Sequence, residues 1–175
     1  MANRTQVFIS YSHQDKAWLE RLQVHLKPLE REGMIERWDD TKIQPGAKWR
    51  EEIAEAIRHA KVAVLLVSAD FLASDFIATE ELPPLLVGAK DEGAVILPII
   101  VSPSRFEQTP LAQFQSVNPP SQPLMSLPKT DQETIFVRVA DATHETLTAR
   151  STLRRGARIT RAWRRRDKTA PPSQP

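Results

Sequence analysis

The chain has 175 residues, 41% of them apolar and 26% charged, the proportions of a globular domain with a core of its own. It has no Cys, which excludes a disulfide framework, a thiolate zinc site and a Cys nucleophile. No apolar run approaches the ~18 residues of a membrane span and the first residues lack a signal-peptide core, so a cytoplasmic protein is expected. The net charge of +2 hides a division. Residues 150–175 hold nine basic residues and one acidic residue, a local charge of +8, which leaves −6 for residues 1–149. The expectation is an acidic domain, 1–149, followed by a basic, partly disordered tail, 150–175.

Val7, Phe8, Ile9 and Tyr11 mark a first strand within Thr5–Ser12. Trp18, Leu22, Leu26 and Leu29 recur at helical spacing. Pro28 is expected to bend or shorten that helix, and Gly33 to cap it. Met34–Trp38 is a weak second strand, and Asp39–Gly46 a polar loop with a Pro-Gly turn signal. Trp49, Ile53, Ile57 and Ala60 give a second helix. Lys61–Val67 is apolar almost throughout, the pattern of a central strand buried on both faces.

The stretch from Ser68 to Leu86 ends in a Pro-Pro pair, with Glu80 and Glu81 just before it. Helix is expected over Pro84–Glu92 and strand over Ala94–Val101. Ser102–Pro123 is irregular, Leu124–Leu127 is a short fifth strand, and Thr130 with Glu133 forms a capping-box signature. Phe136, Ala140, Thr143 and Leu147 line one face of the last helix. Strands alternating with helices predict an α/β fold: a flavodoxin-like, doubly wound, five-stranded parallel sheet of order 2-1-3-4-5. Its binding crevice lies beyond the strand ends, at Tyr11–His13, Trp38–Asp40 and Ser68, with the glutamate pair nearby.

Several chemistries lack their motifs. The five glycines form neither a dinucleotide fingerprint nor a P-loop, and no nucleophile elbow is present. His13, His25, His59 and His144 have no metal-ligand spacing and read as surface residues, so no metal is expected.

Four segments then carry a resemblance: VFISYSHQDKAW, WDDTKIQPGAKWREEI, VAVLLVSADFLASDFIATEELPPLL and AVILPIIV. In this order they resemble a TIR (Toll/interleukin-1 receptor) domain of the bacterial type, over roughly residues 5–147. The resemblance implies one of two activities. The leading one is an NAD⁺ glycohydrolase, a hydrolase of N-glycosyl bonds. It releases nicotinamide and ADP-ribose or a cyclic form of it, in bacterial immunity or toxicity, and needs no cofactor because NAD⁺ is its substrate. The alternative is a non-catalytic TIR–TIR interaction module for signal transduction, or a mimic of host adaptors. The partners implied are NAD⁺ and further copies or other TIR domains. The interaction loop includes Asp39, Ile43, Pro45 and Gly46.

The essential Glu of such enzymes falls on Glu81 or Glu80. Glu81 is favoured because it immediately precedes Leu82-Pro83, where rigid prolines fix its position. A helix N-terminus is expected to hold it ionised. The other candidates each have a second reading. Tyr11 and Ser12 contact substrate or only pack at a strand end. Trp38 stacks on a ring or lies in the core. Asp40 binds substrate or, like Asp39, serves the turn. Ser68 bonds substrate or caps a turn. Trp49 reads as core. The tail, with Trp163 among arginines, is either solvated, or set against an anionic surface, or paired with the acidic domain of a neighbouring copy.

Overall fold

The computed structural model describes residues 6–166, with side chains up to residue 148. β1 (Gln6–Ser10) leads into α1 (Lys16–Arg31), then β2 (Glu36–Trp38), α2 (Trp49–His59) and β3 (Ala60–Val67). α3 (Ala69–Ala73), α4 (Leu82–Asp91), β4 (Val95–Ile100) and α5 (Lys129–Arg166) follow. Among the described residues the sheet has four strands, all parallel, in the order β2-β1-β3-β4. That order makes the fold doubly wound, with the switch between β1 and β3.

Strand alternation divides the core between the two faces of the sheet. Val7, Ile9, Val62, Val64 and Leu66 pack with Leu19, Leu22 and Leu26 of α1 and with Phe136 and Val139 of α5. Phe8, Ala63, Leu65 and Val67 pack with Ile53 and Ile57 of α2, Phe71 of α3 and Leu85 of α4. All eight residues of β3 are buried, as its apolar run requires of a strand covered on both faces.

α1 runs through Pro28 without shortening and stops at Arg31. Its stop is a Schellman motif: Gly33, at φ 70°, donates to Glu30 and Met34 donates back to Leu29. Pro45 and Gly46 form a type II turn, with Gly46 at φ 84° and Ala47 donating to Gln44.

The expected fifth strand is a 3₁₀ turn, Leu124–Ser126. The free edge of β4 is satisfied by other means. The buried side chain of Asn118 accepts from Ile100 N–H and donates to Ile100 C=O, both at 2.9 Å, as a neighbouring strand would. Val117 N–H donates to Pro98 C=O, and Met125 N–H to Val101 C=O. Pro98, without an N–H, fits an edge strand.

The capping box does not form either. Glu133 reaches across to α1, where Arg21 donates to it at 2.6 and 2.5 Å and His25 lies at 2.7 Å. These partners, Arg21 foremost, hold its carboxyl down at about 2. The boundary expected at residue 149 falls inside α5, whose backbone is helical to Arg166. The remainder of the basic tail, residues 167–175, lies outside the described residues, as do the side chains of Trp163 and its arginine neighbours. Among the described residues no helix is long and apolar enough to cross a membrane.

Candidate active site

Beyond the carboxyl ends of β1 and β2 lies an open cleft of about 530 Å³, within the range of small-molecule sites. Tyr11, Ser12 and His13 enter it from the end of β1, and Asp40 and Ile43 from the loop after β2. Trp49 and Ile53 come from α2; Ser74, Phe76, Ile77 and Glu81 come from the segment between α3 and α4.

The segment carrying Glu81 has an unusual backbone. Ile77–Glu81 forms a π-helical turn that runs directly into α4. Pro83 and Pro84 have no N–H for the carbonyls one turn earlier. Here the chain widens instead, and Leu82 N–H donates to Ile77 C=O five residues back. Leu82 is itself helical, at φ −63° and ψ −45°. The helix expected over Pro84–Glu92 therefore begins earlier, at Leu82, and continues the wide turn before it. Wide turns of this kind re-aim the residues beside them and recur at functional sites.

The glutamates part company on this turn. Glu80 is half-exposed and pairs with the exposed Arg50 at 3.6 Å, an arrangement of little energetic weight. Glu81 is 7% exposed and turned into the cleft. Ser10 Oγ donates to its Oε2. Burial pushes the Glu81 carboxyl up to about 7, with the Asp40 charge adding to the rise. The Ser10 hydrogen bond and His13 act in the opposite sense without cancelling it. The expectation that a helix N-terminus would hold Glu81 low is therefore corrected. The residue lies at a junction inside continuous helix, where desolvation outweighs any helix-end effect.

Asp40 is the second carboxylate of the cleft. Tyr11 donates its hydroxyl to Oδ1 at 2.6 Å, and His13 Nε2 lies 2.5 Å from Oδ2. Burial, then Asp40, raises the Tyr11 phenol far above its ordinary value, so it stays a hydrogen-bond donor. Ser12 also lines the cleft, where its hydroxyl caps the short turn His13–Asp15 by accepting from Gln14 N–H at 3.3 Å.

Three sequence candidates stand elsewhere. Ser68 is 1% exposed; it caps α3, accepting from Phe71 N–H at 2.9 Å, and donates to Asp15. Its hydroxyl is thus consumed by joining β3 to the β1–α1 turn, and it does not line the cleft. Trp38 stacks on Phe8, centroids 5.4 Å apart and planes within 10°, on the α2 side of the core. Asp39 is fully buried, accepting from Arg37, Gln23 and Thr41, and holds the loop as the cap of the turn Asp40–Lys42. Of the loop residues, Ile43 lines the cleft, and Pro45 and Gly46 are exposed at its tip.

Trp49 reverses its core expectation. It is 46% exposed and walls the cleft, tilted against Phe76 at 4.9 Å. Its apolar neighbours at helical spacing, Ile53 and Ile57, are buried as expected, but Trp49 opens α2 and so overhangs the crevice. Ser10 is absent from the sequence candidates, whereas His13 falls in the expected crevice by its strand-end position but without a role. Strand alternation could have found Ser10, since it is two residues from Phe8 and so faces the side of the sheet that bears Glu81. The pairing of His13 with Asp40 gave no signal, because it spans 27 residues.

The cleft thus offers a buried carboxylate held by a hydroxyl, a second carboxylate, and the rings of Tyr11, Trp49 and Phe76. Among the described residues that line it, none is Lys or Arg. Two carboxylates beside aromatic faces suit a cationic, ring-bearing ligand.

A family model described as TIR domain matches residues 7–123. The uncharacterized protein y4lF of Sinorhizobium fredii is 32% identical over 139 residues, 79% of this chain. The chain spans 42% of the length of that relative. The TIR domain of the Toll-related receptor TRR-2 from Hydra magnipapillata shares the fold, with a TM-score of 0.51 at 20% identity. That match covers 79% of this chain and 97% of the receptor domain. The chain belongs to the TIR domain family, in its bacterial type.

Proposed function

We propose that the protein is an NAD⁺ glycohydrolase that breaks the bond between nicotinamide and ribose, with Glu81 as its catalytic carboxylate. The observation that carries this reading is the placement of Glu81. It is a buried carboxylate, held by Ser10, in an aromatic-walled cleft that a second carboxylate also lines and that, among the described residues, no lysine or arginine lines.

The chemistry fits that environment. Nicotinamide in NAD⁺ carries the positive charge and departs as a neutral base, so its departure needs no general acid. What needs stabilising is the positive charge that develops on the ribose ring. An ionised Glu81 near the ribose hydroxyls supplies this, as the stabilising carboxylate does in a retaining glycosidase. With a carboxyl near 7 in the free protein, the approach of a cationic pyridinium ring favours the ionised form. Trp49 and Phe76 supply faces for that ring. The diphosphate would then lie toward the open mouth, where the Arg50 guanidinium stands 5.1 Å from the centroid of the Trp49 ring. A neighbouring copy docking through the exposed Pro45–Gly46 turn would add further basic groups, consistent with activity that depends on self-association.

The test is incubation of concentrated protein with NAD⁺, with chromatographic identification of products. Nicotinamide appearing with ADP-ribose or a cyclised form supports the reading. No nicotinamide under crowded conditions refutes it and leaves the interaction module. For that second reading the observation is the same exposed loop tip, which is free for contact with another TIR domain.

A further inference from the structure

We propose that His13 and Asp40 form a general-base dyad, held by Tyr11, that takes the proton from the water capturing the ribosyl cation. The inference rests on the NAD⁺-cleaving reading above and adds a second step to it.

The geometry is that of an oriented histidine. Asp40 Oδ1 accepts from the Tyr11 hydroxyl at 2.6 Å, which fixes the carboxylate. Oδ2 then faces His13 Nε2 at 2.5 Å. An ionised carboxylate only accepts, so Nε2 carries the hydrogen, and in the neutral ring Nδ1 carries the lone pair. Nδ1 has no hydrogen-bond partner among the described residues. His13, Asp40 and Glu81 line one cleft, and His13 is close enough to Glu81 to influence its ionisation. A carboxylate that sets the tautomer of a histidine and stabilises its charged form is the arrangement by which nucleophiles are activated elsewhere.

The C1′–N bond breaks and its electron pair leaves with nicotinamide. The water oxygen bonds to C1′, and one water proton passes to Nδ1. The resulting imidazolium, stabilised by Asp40, later returns the proton to solvent. Glu81 serves bond cleavage and the dyad serves capture. The two separate experimentally, because returning nicotinamide attacks C1′ through a ring lone pair and has no proton to lose.

The experiment measures hydrolysis and base exchange together, using NAD⁺ with isotopically labelled nicotinamide and mass spectrometry. His13→Gln is expected to raise the exchange-to-hydrolysis ratio at least about tenfold, below the ~10²–10⁴ range of general-base effects because the ribosyl cation is itself a strong electrophile. Asp40→Asn, whose amide would face Nε2 with a donor and reverse the tautomer, is expected to shift it the same way. The ratio does not depend on the fraction of protein folded, and the His13 side chain is 78% exposed, so its replacement spares the core. An unchanged ratio in His13→Gln overturns the dyad. So does loss of both reactions in a folded His13→Gln protein, which would assign His13 to cleavage. If the unsubstituted protein shows neither hydrolysis nor exchange, the NAD⁺-cleaving reading falls and the dyad with it.

Discussion

Replacing Glu81 by Gln should make the protein more stable, and more so as the pH rises. The Glu81 carboxyl lies near 7 in the folded chain, against an ordinary 4.5. Below about pH 4.5 both states hold the proton and Glu81 carries no ionisation penalty. As the pH rises, the unfolded chain releases its proton first, so folding loses stability until about pH 7 and the loss is constant above that. The separation corresponds to about 3 kcal/mol at saturation. Between about pH 5 and pH 8 the change is about 2 kcal/mol. Gln matches the shape, can still accept from Ser10 Oγ, and does not titrate. Other titrating groups cancel when the two proteins are compared at each pH. Urea unfolding followed by Trp fluorescence reads the difference directly. A stability gap between Glu81→Gln and the parent that is the same at pH 5 and pH 8 would refute the reasoning. Such a result would mean that Glu81 is solvated in the folded state or protonated throughout. The predicted sign also fits a functional residue, since groups kept for chemistry commonly cost stability.

Further predictions follow the same geometry. If ionised Glu81 is needed, kcat/KM for NAD⁺ should rise with pH through about 7, the value of the free protein; a profile flat from about pH 5.5 to 8.5 would contradict it. Ser10→Ala removes the hydrogen bond that favours the carboxylate, so the acid limb of that profile should move to higher pH. Asp39→Ala should cost about 3 kcal/mol in urea unfolding, because it leaves the mostly buried Arg37 guanidinium short of a partner and uncaps the loop that carries Asp40. Asn118→Leu should cost about 2 kcal/mol, since it strips the hydrogen bonds from both backbone groups of Ile100.

The fold was largely legible because its signals are local. The apolar run of β3, the helical repeat of α1 and the glycines at 33 and 46 each act through neighbouring residues, and these elements appear where the pattern placed them. The fifth strand failed because a four-residue apolar run does not distinguish a strand from a turn. What decides it is Asn118, whose side chain already occupies the β4 edge. The capping box failed because Glu133 found stronger partners on α1 more than 100 residues away. At the site, the spacing of Glu81 from the prolines singled it out over Glu80, and the structure buries Glu81 and exposes Glu80. Its high carboxyl was not legible, since it arises from burial among segments that meet only in the folded chain. Ser68 and Trp38 each had two readings in the sequence, because a strand-end position does not show which neighbour consumes the side chain, and the structure gives the capping and core readings. Asp15 and Phe71 take Ser68, and Phe8 takes Trp38.

The most direct test of the central claim is the rate of nicotinamide release from NAD⁺ by concentrated protein, compared with Glu81→Gln and Glu80→Gln at the same concentration. Release is expected from the parent and from Glu80→Gln, with a fall of about 10²-fold or more for Glu81→Gln, the scale expected when a charge-stabilising group is lost from a reacting centre. Release by Glu81→Gln at the parent rate would contradict it.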